Sequence, residues 1–132
     1  MMQIEEKSNV TGFALFELGF RPFFSVAGLF AVIGMLLWMN LYFSFMQSPI
    51  PSLEPVIWHA HEMIFGYAMA VVAGFLLTAV GNWTGIPTWR GKNLATLLAL
   101  WFLARIAWFI PDAYSLYLSA TCDVLFLLGL IT

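Results

Sequence analysis

Residues 55–80 read PVIWHAHEMIFGYAMAVVAGFLLTAV. His59, His61 and Glu62 sit in the first third, and residues 63–80 carry no charged side chain. A helix needs about 20 mostly apolar residues to cross a ~30 Å hydrocarbon core. One that is apolar all the way round has no face to offer water. The stretch from about 56 to 80 therefore reads as a transmembrane helix, with its ionisable residues near one end.

Working outward, three further segments have the same character. The first, about 22–46, opens at Pro22, where the missing N–H suits a first helical position. Phe20, Phe23 and Phe24 stand at the interface there, with Arg21 at headgroup level. The breaker stretch Ser48-Pro49-Ile50-Pro51 separates it from the decisive helix. The others, about 94–110 and 114–132, are divided by Pro111-Asp112-Ala113. The expected fold is all-α: a polytopic bundle of four spanning helices arranged as two antiparallel hairpins (residues 22–132), after a leader over 1–21. Phe13, Phe16 and Phe20 fall at helical spacing in that leader, which fits a short interfacial helix and fits an extended anchor equally.

Composition supports this reading. Of 132 residues, 62% are apolar, 9% are charged and 17% are aromatic, and mean hydropathy is +0.91. Soluble domains run at about 45–50% apolar and about 25% charged. Five bases and seven acids cannot coat a soluble globule, and they offer no basic surface for nucleic acid. A secretory leader is not expected: Glu5 and Glu6 stand beside Lys7, and no small-residue cleavage site follows. Lys7, Arg21, Arg90 and Lys92 fall on one side of the expected topology, whereas the opposite loops carry Glu54 and Asp112 and no base. The positive-inside rule then places both termini in the cytoplasm.

Polar residues at membrane depth are functional candidates. His59 and His61 point about 200° apart on an α-helix, so they cannot grip one metal together. His59 shares a side with Glu62, Met63 and the small-residue line Gly66, Ala70, Gly74, and is expected to look into the bundle. His61 is expected to point towards helices outside this chain. Imidazole suits copper, and thioether suits Cu(I), so His59 with Met63 could form part of a copper site. Six-coordinate haem needs axial ligands on opposite sides of its ring, so neighbours on one helix cannot supply both and either histidine would need a second ligand from another helix or another chain. Both histidines could equally be interfacial groups bonded to water or Glu62. Arg105, between Trp101 and Trp108, needs an anion: Asp123 on the next helix, or a cofactor carboxylate such as a haem propionate. Met35, Met39 and Met46 read as gap-fillers and Cys122 as a small buried residue. Asn82-Trp83-Thr84 is discarded as a glycosylation acceptor because it falls on the cytoplasmic side.

Four blocks carry a resemblance. Leu18-Gly19-Phe20-Arg21-Pro22-Phe23-Phe24, Trp58-His59-Ala60-His61-Glu62-Met63-Ile64-Phe65-Gly66, Ala73-Gly74-Phe75-Leu76-Leu77-Thr78-Ala79-Val80 and Asn82-Trp83-Thr84-Gly85 resemble, in order and spacing, the NnrS family. The resemblance runs from about Gly12 to Pro111. It implies a bacterial inner-membrane protein that binds haem, copper or both and serves nitric-oxide response, tolerance or denitrification. His59 and His61 match the family's histidine block, with Glu62, Met63 and Arg105 as further site candidates. Implied partners are the lipid bilayer, further transmembrane helices or another copy, and nitric oxide as ligand. Family members are several times longer, so this chain is expected to be an N-terminal part. A transporter fragment, with Glu62, Arg105 and Asp123 lining a route, is the alternative.

Overall fold

Pro55 opens the decisive helix because a first-turn residue needs no N–H. In the computed structural model, which describes residues 20–43, 54–112 and 114–131, α2 runs without a break from Pro55 to Thr84. It ends where Gly85 adopts a left-handed φ of 70° and returns its N–H to Gly81 O at 3.0 Å. Glycine takes that conformation without steric cost. α1 spans Phe20–Tyr42, α3 Gly91–Ala107 and α4 Tyr114–Ile131. Among the described residues there is no strand, and the fold is a helical membrane bundle.

The helix ends depart slightly from expectation. α1 starts at Phe20, which puts Pro22 at its third position, still within the turn where no N–H is required. The leader up to residue 19, and the expected end of the first helix at residue 46, lie outside the described residues. α3 begins three residues early, at Gly91, whose φ is 58°. It also stops early. The residue before a proline avoids the α region, so the chain tightens into Phe109 N–H to Ile106 O and Ile110 N–H to Ala107 O bonds ahead of Pro111. Asp112 then caps α4, its Oδ1 accepting from Tyr114 N at 3.1 Å.

α1, α2 and α4 are long and apolar enough to cross a membrane by length and composition. α3, at 17 residues, reaches about 25 Å at 1.5 Å per residue, short of the full hydrocarbon thickness. It pairs with α4, and Gly129 permits the approach: a Cβ there would lie 3.0 Å from Leu97.

α1 packs on α2, and the line Gly66, Ala70, Gly74 is buried as expected. A Cβ on Gly66 would come within 2.5 Å of the Phe30 ring, and one on Gly74 within 3.2 Å of Phe23 and Phe24. Small residues on α2 thus admit phenylalanines from α1. The two hairpins meet through Phe23 against Phe126, with ring centroids 5.9 Å apart, and through Phe30 edge-on to Trp101 at 5.4 Å. Leu29, Val32, Leu36, Phe75, Val124 and Leu128 stay exposed, an apolar exterior suited to lipid.

Candidate functional site

The first third of α2 is not regular. Between an α turn at Pro55–His61 and the α-helix from Met69 lies a π-helical segment, Glu62–Ala68. At its end, Met69 N–H bonds to Ile64 O, five residues back. The wider turn loosens the usual ladder, and two carbonyls accept from α3 instead: Phe65 O from Arg105 Nη1 at 2.9 Å and Gly66 O from Trp101 Nε1 at 2.9 Å. π segments often mark functional positions. This one binds α2 to α3 through buried groups that have no water to turn to.

Arg105 is the hub. Nη2 donates to Asp123 Oδ1 at 2.7 Å and Oδ2 at 2.8 Å. Nε lies 2.8 Å from Glu62 Oε2, close enough for an ion pair but outside good hydrogen-bond alignment. The guanidinium carbon stands 5.6 Å from the Trp101 ring centroid. Each of its three nitrogens therefore faces a protein acceptor. The expected Arg105–Asp123 pair is present, and Glu62 is a second carboxylate partner that spacing alone did not assign. Glu62 is 1% exposed, Asp123 4% and Arg105 6%. The missed signal was arithmetical: two carboxylates and one guanidinium at membrane depth must share.

The two histidines part company, as their 200° separation requires, but not in the expected directions. The buried line on α2 begins Trp58, Glu62, Gly66, Ala70, and His59 and His61 border it on opposite sides. His61 faces the cluster: Nδ1 is 3.1 Å from Glu62 Oε1 and Nε2 is 3.6 Å from Asp123 Oδ2. Its ring stacks on Phe65 at 4.8 Å and meets Trp108 edge-on at 5.2 Å. The expectation that His61 points away from this chain's own helices is thereby corrected. Its side of α2 is covered by α3 and α4, because the buried line runs through Glu62 rather than His59.

His59 turns to α1 and stacks on Trp38 at 4.4 Å, with 24° between the planes. Its Nδ1 is buried with no hydrogen-bond partner, and so is Trp38 Nε1. Met63, one turn on, lies on the same side, with its methyl 3.7 Å from where a Gly34 Cβ would stand. Glu62 is separated from both and belongs to the Arg105 side. Cys122 is buried and free. Among the described residues, no three His, Cys, Asp or Glu side chains are grouped so as to hold a metal ion.

A family model described as NnrS protein matches residues 14–132 of this chain. No match is found among curated proteins or among solved structures.

Proposed function

This chain belongs to the NnrS family, and we propose that it is a membrane metalloprotein module that binds haem or copper through His59 and serves nitric-oxide response, tolerance or denitrification. The observation that carries the choice of residue is the His59 ring. A buried imidazole nitrogen without a partner is costly, and native structures rarely leave one so. A metal ligand requires such an uncommitted nitrogen.

The donors suit the groups the family implies. His59, held flat by Trp38, offers an imidazole, and Met63 on the same side of α2 offers a thioether, a pair suited to copper. For haem, His59 would be one of the residues that hold the iron. When bound, either group would supply a metal centre able to take a small ligand such as nitric oxide. His61 is less suited: each of its ring nitrogens faces a carboxylate, and the Arg105 guanidinium repels a second cation nearby. Its role is to hold Glu62 and Asp123 in place beside that guanidinium. A solute-transport role has less support. Among the described residues, hollows of about 210 Å³ lined by Thr78, Asn82 and Arg90 among others, and of about 350 Å³ beside Phe24 and Trp83, lie towards the other end of α2 from the cluster.

The proposed setting is the bacterial cytoplasmic membrane. Arg21, Arg90 and Lys92 gather at one end of the antiparallel bundle and Glu54 and Asp112 at the other, so the base-rich end belongs in the cytoplasm. The experiment is metal analysis and an absorption spectrum of the purified protein, before and after nitric oxide. A haem Soret band or stoichiometric copper, perturbed by nitric oxide, is the expected result. Protein free of both after expression with haem precursor and copper supplied would overturn the proposal.

A further inference from the structure

At the other end of α2 from His59, the block Asn82-Trp83-Thr84-Gly85 has no part in metal binding. It turns the chain. Gly85 takes its left-handed φ and ends the helix, while Thr84 Oγ1 donates to Val80 O at 2.7 Å and accepts from Ile86 N at 3.2 Å. Thr88 Oγ1 then donates to Leu77 O, pinning the loop between α2 and α3 back along the helix. Gly81 keeps room between them: a Cβ there would lie 3.4 Å from Ile86 O. The result is the hollow of about 210 Å³ that Thr78, Asn82, Thr88 and Arg90 help to line.

The hollow of about 350 Å³ beside it has the opposite character. Its walls include Phe20 and Phe24 of α1, with ring centroids 6.3 Å apart, and Phe75 edge-on to Trp83 of α2 at 6.0 Å. Thr78 and Asn82 line both hollows, so a polar compartment and an apolar one meet at those two side chains. Charge then sets the polar compartment apart. The Arg90 side chain is exposed and makes no hydrogen bond or ion pair among the described residues. The described carboxylates all stand elsewhere: Glu54 and Asp112 at the opposite end, Glu62 and Asp123 in the Arg105 cluster. A guanidinium is a fork of donors that matches phosphate oxygens. Basic pockets between transmembrane helices on the cytoplasmic side suit acidic lipid headgroups.

We propose that the paired hollows bind one anionic phospholipid, with its phosphate at Arg90, its ester region at Thr78 and Asn82, and an acyl chain along Phe24, Phe75 and Trp83. The Asn82 amide has N–H groups to donate to an ester carbonyl. Trp83 stands at the end of the spanning helix, where tryptophan favours the headgroup level. A free phosphate ion would use the polar compartment alone and leave the apolar one without a purpose. A zwitterionic headgroup would bring a cation to Arg90 with no described carboxylate there to receive it. The lipid touches neither His59 nor Met63, so the site stands whether or not metal is bound.

The test is native mass spectrometry of the full chain in detergent micelles, titrated with phosphatidylglycerol or with phosphatidylcholine of the same acyl chains. The unaltered protein should retain one phosphatidylglycerol at concentrations where phosphatidylcholine is lost. A base near a lipid headgroup changes binding by about fivefold. Arg90→Gln should therefore weaken phosphatidylglycerol by at least about fivefold and leave phosphatidylcholine unchanged. Arg90 is exposed, so this change leaves the packing of α2 and α3 in place. Lys92→Gln removes the same charge two residues on, from a side chain that lines neither hollow, and should cost less. Inorganic phosphate, or glycerophosphoglycerol (the headgroup without its acyl chains), should not displace the lipid at equal concentration. Equal retention of the two lipids, or equal losses at Arg90 and Lys92, would overturn the site. Displacement by either chain-free anion would overturn it too, leaving an anion site in place of a lipid site.

Discussion

His59 and His61 stand two residues apart on one helix, yet one lies against a tryptophan with a nitrogen unspoken for, and the other sits among two carboxylates and a guanidinium. At about 100° per residue, a two-residue step carries a side chain from one helix interface to another. The α1 side of α2 is aromatic and apolar, built from Trp38, Leu37 and Leu41 against Trp58. The α3–α4 side is ionic, with Arg105 joined to Glu62 and Asp123. Adjacent positions in a short motif can therefore do unlike work. On the apolar side an imidazole is left open to a ligand. On the ionic side it is consumed in holding helices together.

The ionic side should be the more fragile. Arg105→Leu leaves Glu62 and Asp123 facing each other without a cation, and breaking a buried pair this way costs about 3–5 kcal/mol. Thermal unfolding in micelles should register it as the largest loss of any single change. Adding Asp123→Leu should recover only part, because Glu62 stays buried without its cation; adding Glu62→Gln as well should recover most. Full recovery in the double variant would mean that Glu62 is not a true partner of Arg105.

Gly66 lies on the line that divides the two sides. Gly66→Ala drives a methyl into the Phe30 ring, which is itself packed on Trp101. Overpacking of this kind costs about 1–3 kcal/mol. Gly28, where an added methyl would meet nothing within 4 Å, is the control. Gly28→Ala should be neutral or stabilise by roughly 0.5–1 kcal/mol through helix propensity alone. Equal effects at the two glycines would mean that α1 does not approach α2 closely at Gly66.

The smallest contrast is between the histidines themselves. His61→Ala takes a hydrogen-bond partner from buried Glu62 and should cost about 1–3 kcal/mol. His59→Ala gives up a ring stack, about 0.5–1.5 kcal/mol, but also removes an orphaned buried nitrogen, so its net cost in metal-free protein should fall at the lower end. Chemical denaturation of metal-free protein compares them. A larger loss at His59 would reverse the assignment of the two interfaces.

Much of this was legible from sequence, and the reasons differ by level. The helices declare themselves through length and hydropathy, because a bilayer admits few other backbone arrangements. The small-residue line Gly66, Ala70, Gly74 and the Arg105–Asp123 pair follow from spacing and from the cost of a lone buried charge. What escaped was rotation. Counting from His59 at α-helical pitch cannot reveal that the buried line passes through Glu62, because the neighbours decide which side of α2 is covered. The π segment at Glu62–Ala68 has no proline or charge run to announce it, and it persists through acceptors that Arg105 and Trp101 engage from 35 to 40 positions away.

The central claim is that the two histidines of one motif hold different tasks, ligand binding at His59 and helix anchoring at His61. The most direct measurement is the haem and metal content of His59→Ala and His61→Ala, purified side by side, with absorption spectra of each. The predicted result is that His59→Ala loses the bound group, while folded His61→Ala keeps it near the unaltered stoichiometry. Equal loss of one and the same metal in both variants, each still folded, would contradict it.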